Sequence, residues 1–207
     1  MTSEDLARAR RHLMRRDPVL AVAVRRIGAC GLATPPEGDL FEGLVRAITG
    51  QQLSVKAART IYARVLTVAG NDGKLQPDAL LAVPAADLRA AGLSVRKAAY
   101  VHELAGRVAA GELLLSGLHG LSDEEVVARL TAVKGIGRWT AEMILIFRLR
   151  RPDVLPVDDG GIVRAVQRLY GLRRRPSARR LERIAEPWRP WRSVASWYLW
   201  ATLDMPM

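Results

Sequence analysis

The chain has 207 residues, 49% of them hydrophobic, enough to bury a core as one domain or two small lobes and too apolar for a disordered chain. Its 32 Lys+Arg against 21 Asp+Glu leave a formal net charge of +11, and the stretch from Lys134 to Arg192 holds 15 basic and 6 acidic residues, a field that favours a polyanionic partner. The single cysteine, Cys30, excludes an internal disulfide, a four-cysteine zinc site and a four-cysteine iron–sulfur cluster, and fits a reduced intracellular protein.

The N-terminal stretch carries Arg8, Arg10, Arg11, Arg15 and Arg16 with no apolar run, which does not fit a secretory signal. No run of 18 apolar residues follows anywhere, so no segment is expected in a membrane. Leu40, Leu44, Ala47 and Ile48 recur at helical spacing, and so do Ala57, Ala58, Ile61, Val65 and Leu66 behind a cap at Ser54. Ser94 predicts the start of a helix carrying Ala98, Val101, Leu104 and Val108. Ser122 with Glu125 forms a capping-box pattern ahead of Val126, Val127 and Leu130. Ala141, Ile144, Leu145 and Leu149 make a further stripe, and Val194, Tyr198 and Leu199 a last one. Breaks fall at Thr34-Pro35-Pro36, Gly70 to Gly73, Pro84, Gly117 to Gly120 and Arg151 to Gly161. No sustained period-2 alternation appears, so the chain is read as all-α with ten to twelve short helices.

Residues 130–167 carry the chemistry. Gly135-Ile136-Gly137 predicts a tight turn between two helices, Val126 to Val133 and Arg138 to Leu149, whose backbone N–H groups could hold a phosphate. It is not a dinucleotide fingerprint, because Thr140 stands where a third glycine would be required. Asp158 and Asp159 then precede an apolar helix. An aspartate there is by default an N-cap. Two acids inside the most basic third of the chain also suit a glycosidic hydrolase, in which a carboxylate stabilises an oxocarbenium-like transition state. Five tryptophans, Trp139, Trp188, Trp191, Trp197 and Trp200, could pack a core or stack on an extruded base. His12, His102 and His119 show no metal-ligand spacing.

In this combination and order the segments resemble the helix–hairpin–helix (HhH-GPD) DNA glycosylases, specifically the 3-methyladenine DNA glycosylase II type. The resemblance runs from Asp17-Pro18-Val19-Leu20 through Leu44 to Arg64, Gly92-Leu93-Ser94 with Lys97 and Tyr100, VKGIGRWTAEM, LPVDDGGIVRAV and Trp188 to Trp200. It implies a single two-lobed helical unit over 1–207, with approximate lobes 36–133 and 1–35 plus 134–207 and an active-site cleft between them. It implies the minimal helical core, without the N-terminal mixed α/β domain of some relatives. It also implies a monomer in the cytoplasm, bound to double-stranded DNA containing a damaged base.

The resemblance places the catalytic carboxylate on Asp159, with Asp158 as a neighbour or cap. It places the base pocket at Trp139, Trp200 and Met143, the duplex probe at Gln51, Gln52, Leu53 and Ser54, and the phosphate-holding hairpin at Gly135, Gly137, Arg138 and Thr140. Trp139 stands where lyase-type relatives carry a nucleophilic lysine, which implies a monofunctional enzyme that leaves an abasic site. No cofactor and no side-chain metal site is implied; a monovalent cation on the hairpin's backbone carbonyls is allowed. The implied reaction is hydrolytic release of alkylated bases of the 3-methyladenine and 7-methylguanine type in base excision repair. A glycosylase for oxidised, deaminated or mismatched bases, and a non-catalytic DNA-binding module, fit the same residues.

Overall fold

Short polar side chains set most of the helix starts. Thr2 and Asp5 form a reciprocal capping box, as do Asp39 with Glu42 and Ser122 with Glu125. Asp17, Ser54, Ser94, Asp159 and Ser177 each accept a backbone N–H three residues on. Each such cap stabilises its helix by about 1 kcal/mol. The computed structural model describes residues 1–203. Among them the helices run α1 (Ser3–Arg16), α2 (Pro18–Ile27), α3 (Leu40–Gly50), α4 (Val55–Ala69), α5 (Pro77–Ala82), α6 (Ala85–Ala90), α7 (Val95–Ala109), α8 (Asp123–Thr131), α9 (Arg138–Phe147), α10 (Gly160–Leu169), α11 (Ala178–Ala185) and α12 (Arg192–Leu203). The all-α expectation holds. The break at Gly70 to Gly73 is a minimal antiparallel pair, β1 (Gly70–Asn71) and β2 (Lys74–Leu75), too short to show alternation, and that at Gly117 to Gly120 lies in a 3-10 segment, Leu115–Gly120.

The chain divides into two units, Met1–Pro35 with Leu145–Met207, and Pro36–Ile144. The division falls inside α9, whereas the approximate line drawn from the sequence lay at 133/134. In the first unit α12 packs on α2 and α10, and buries Ser193, Val194, Ala195, Ser196, Tyr198 and Leu199. Tyr198 donates its hydroxyl to Gly28 O (2.8 Å). A Cβ at Gly31 would stand 2.6 Å from the Trp197 ring, so only glycine lets the Gly31–Ala33 turn close on α12. In the second unit α7 lies against α3, α5 and α6. Buried Glu42 accepts from Leu75 N (3.0 Å) as well as closing its own capping box, so one carboxylate ties α3 to β2.

Two helix ends differ from the sequence reading. α8 stops at Thr131 rather than Val133, and Val133 O instead accepts from Ile136 N (3.1 Å) in the hairpin turn. α9 stops at Phe147 rather than Leu149. There Arg150 adopts a left-handed conformation (φ 57°) and Arg151 N bonds back six residues to Leu145 O (2.9 Å). Arginine in the position that glycine usually fills gave no stop signal. Its guanidinium donates to Leu32 O and Thr34 O, contacts that hold the unusual backbone in place.

Candidate active site

Each unit holds one cluster of the sequence-predicted residues. In the second unit the hairpin turns at Gly135, whose positive φ (88°) and close approach to the Tyr100 ring leave no room for a side chain. Gly137 O begins the α9 ladder at Ala141 (3.0 Å), and nothing lies within 4 Å of where a Gly137 Cβ would be, so the backbone at the mouth of α9 is open. Val133 O and Gly135 O already accept hydrogen bonds, so a cation on these carbonyls would use their second lone pairs.

The donor to Gly135 O is Gln51 Nε2 (2.7 Å), which also lies 3.5 Å from Thr140 Oγ1. Gln51 follows the last residue of α3, and Lys97 Nζ donates to Thr49 O (2.8 Å) and Gln51 O (2.7 Å), neutralising the carbonyl end of that helix. Burial holds the Lys97 ammonium below its ordinary pKa. These bonds fix the 51–53 segment, in which Gln52 takes a left-handed backbone (φ 59°) and Leu53 is 40% exposed. A cavity of about 610 Å³ opens beside it, walled by Gln51, Gln52, Leu53, Gly137, Trp139, Thr140 and Met143. Trp139 is exposed and Met143 half-buried, four residues apart on one face of α9.

Besides Gln51, the predicted DNA-binding residues Ser54 and Arg138 have side-chain partners within the protein. Ser54 Oγ caps α4 (Ala57 N, 3.3 Å). Arg138 forks onto exposed Glu124 (2.6 and 3.1 Å), a pair worth under about 1 kcal/mol and so exchangeable for a phosphate, and reaches buried Glu142 (3.3 Å). Arg46 also lines the cavity and was not singled out in the sequence. Its guanidinium stacks 4.2 Å from the Tyr62 ring centroid and pairs with Glu37 (3.3 Å). Arg46 lies within the Leu44 to Arg64 segment, but an arginine among helical apolar residues reads as solvated surface.

In the first unit Asp159 is buried and Asp158 exposed. The N-cap is Asp159 itself: its Oδ1 accepts from Ile162 N (2.7 Å). The same oxygen accepts from Trp200 Nε1 (2.9 Å), so an indole on α12 and the first turn of α10 together orient one carboxylate. The loop leading to it is anchored on α12 a second time, where Val154 N donates to Ser193 Oγ (2.9 Å) and Ser193 N to Pro152 O (3.0 Å). The Trp200 ring meets Phe147 at 5.6 Å between centroids, tilted by 30°.

Gly161, another residue the sequence did not single out, stands against this pair. A Cβ there would lie 2.9 Å from Asp159 Oδ1 and 3.1 Å from Trp200 Cδ1. The doubled glycine after Asp159 was its only signal. Among the described residues no group of three His, Cys, Asp or Glu is placed to hold a metal ion, and no helix is long and apolar enough to cross a membrane.

An oriented, buried carboxylate at a helix start and a glycine hairpin beside a cavity walled by a tryptophan fit a base-excision enzyme. The chain belongs to the HhH-GPD superfamily of base excision DNA repair proteins, matched over residues 45–190. Among characterised relatives it is 33% identical to alkylbase DNA glycosidase-like protein mag2 of Schizosaccharomyces pombe, over 95% of this chain and 93% of that one. It is 38% identical to DNA-3-methyladenine glycosylase 1 of the same yeast, over 78% and 72%. The solved structure of the S. pombe 3-methyladenine DNA glycosylase Mag1 in complex with abasic DNA superposes with a TM-score of 0.81 at 34% identity, covering 96% of this chain and 97% of that one.

Proposed function

We propose that the protein is a monofunctional DNA glycosylase that everts an alkylated base, of the 3-methyladenine or 7-methylguanine type, and hydrolyses its N-glycosidic bond. The observation that carries this reading is the buried carboxylate of Asp159, oriented through one oxygen by two N–H donors. As the bond breaks, its electron pair leaves with the base and positive charge develops on the sugar. Asp159 stabilises that charge and orients the water that adds to the sugar carbon. A ring-alkylated purine is already cationic, so it departs without strong acid catalysis, and part of the selectivity lies in the leaving group.

Trp139 and Met143 offer the everted base a stacking wall, the hairpin at Gly135 and Gly137 takes a phosphate, and the Gln51–Leu53 segment fills the vacated stack. Trp200 acts chiefly through Asp159, since its indole N–H is committed to that carboxylate. With tryptophan at position 139 and no lysine there, the product is an abasic site on an uncut strand. The enzyme works as a monomer on damaged duplex DNA in the cytoplasm.

Chromatography of bases released from methylated DNA is the direct test. Release of 3-methyladenine or 7-methylguanine supports the reading, and release of neither from any methylated substrate overturns the alkylated-base assignment. Borohydride should trap no covalent DNA adduct. One observation favours a neutral lesion instead: the Arg46 guanidinium in the cavity wall would repel a cationic base. Oxidised, deaminated and mismatched substrates in the same panel decide between the two.

A further inference from the structure

The first unit has a second concavity, of about 620 Å³, lined by Arg8, Arg11, His12, Arg15, Pro190 and Trp191. It is not the Asp159 site. Trp191 and Trp200 sit nine residues apart at and along α12, about 14 Å in helix rise and on roughly opposite sides.

The arrangement follows from the amphipathic pattern of α1. Leu6, Ala9 and Leu13 are buried, which turns Arg8, Arg11 and Arg15 outward as a row of exposed guanidinium groups. His12 Nε2 donates to Pro187 O (3.0 Å) and fixes the row against the turn that leads to Trp191. No carboxylate lines the concavity, and among the described residues no ion pair engages Arg11 or Arg15. Three arginines in a concave setting beside a half-buried indole, of which only Arg8 has an acidic neighbour in Asp5, are unlike a solvated helix face, where charges of both signs alternate.

We propose that this concavity binds the phosphodiester backbone of DNA outside the reacting nucleotide, as a second, sequence-independent grip. Arg8 and Arg15 are about 10 Å apart along α1, which matches three nucleotide steps at about 3.4 Å of axis per nucleotide of a strand. Guanidinium forks suit phosphate oxygens, and the Trp191 ring covers the adjoining sugar. An acidic protein segment would also be drawn to the charge. The even spacing of the row and a DNA-repair family favour nucleic acid.

The test is binding to an undamaged duplex across a salt series. No base release is read, so the outcome is independent of which lesion the enzyme removes. In an R8A/R11A/R15A variant the slope of log affinity against log salt is expected to become shallower by about 2 to 3, at about 0.9 for each phosphate that the protein ceases to neutralise. The R8K/R11K/R15K variant, which keeps the charges, should retain most of the wild-type slope. A photo-crosslinking residue in place of Trp191 should form a DNA adduct in the otherwise intact protein. An unchanged slope in the folded alanine variant, or no adduct from position 191, overturns the proposal.

Discussion

Asp17 and Asp159 occupy the same position in their helices and differ in how deeply their indole partners are buried. Each caps a helix through an N–H three residues on, and each accepts an indole N–H from a tryptophan far along the chain. At Asp17 both oxygens are engaged: Oδ1 by Leu20 N (2.9 Å), and Oδ2 by Trp188 Nε1 (2.7 Å) and the Tyr170 hydroxyl. Trp188 is completely buried, and burial together with Asp17 drives the Tyr170 pKa far above its ordinary value. That carboxylate joins α2 to the turn before α12. At Asp159 the Ile162 and Trp200 donors converge on Oδ1, and Trp200, unlike Trp188, is only half-buried. The same capping chemistry thus lies behind a fully buried indole in one place and a half-buried one in the other.

The largest separation is expected from paired substitutions. Asp159→Asn should lower base release by about 10²–10³-fold while leaving thermal stability near wild type, since asparagine caps a helix as well as aspartate does. If it retained near-full release, Asp159 would not be the catalytic carboxylate. Asp17→Asn should do the reverse. Placing an amide against the Trp188 and Tyr170 donors is expected to cost about 3 kcal/mol of stability, read by denaturant unfolding, with release per folded molecule intact. Gly161→Ala pushes on Asp159 and Trp200 together and should slow single-turnover release by about tenfold with little change in melting temperature. Trp200→Phe keeps the ring and removes the N–H; a drop of about fivefold, one hydrogen bond's worth, is expected in the same assay.

The smallest effect concerns a bystander. Burial pushes the Cys30 thiol up to about 11, so the reactive thiolate is nearly absent at neutral pH and grows only as pH rises towards that value. Native protein should react slowly with a thiol reagent at pH 8. Asp17→Asn should speed that reaction by increasing opening of the first unit, and Asp159→Asn should not.

Elements with explicit local signals were legible in the sequence. Ser54, Ser94 and the Ser122–Glu125 box start helices as read, because a hydroxyl that bonds a backbone N–H acts within four residues. Asp159 stands at the start of an apolar helix, as its motif reads, and Gln51, Gln52, Leu53, Gly137, Trp139, Thr140 and Met143 gather around one cavity. What stayed hidden depends on distant partners. The left-handed Arg150 is held by carbonyls more than a hundred residues earlier, and the place of Gly161 is defined by a ring on α12. Arg138 and Ser54 carry groups suited to DNA, and only folding showed that Glu124 and the α4 backbone already engage them.

The bond from Gln51 to Gly135, with Lys97 bracing the chain behind it, makes the 51–53 loop and the hairpin a single caliper. Neither jaw can be re-set alone. One residue inserted between Gln51 and Leu53 would advance the tip by about 3.5 Å, close to one nucleotide step of about 3.4 Å. With the roles proposed for hairpin and loop, an enzyme so altered would grip the strand at one nucleotide and interrogate its neighbour.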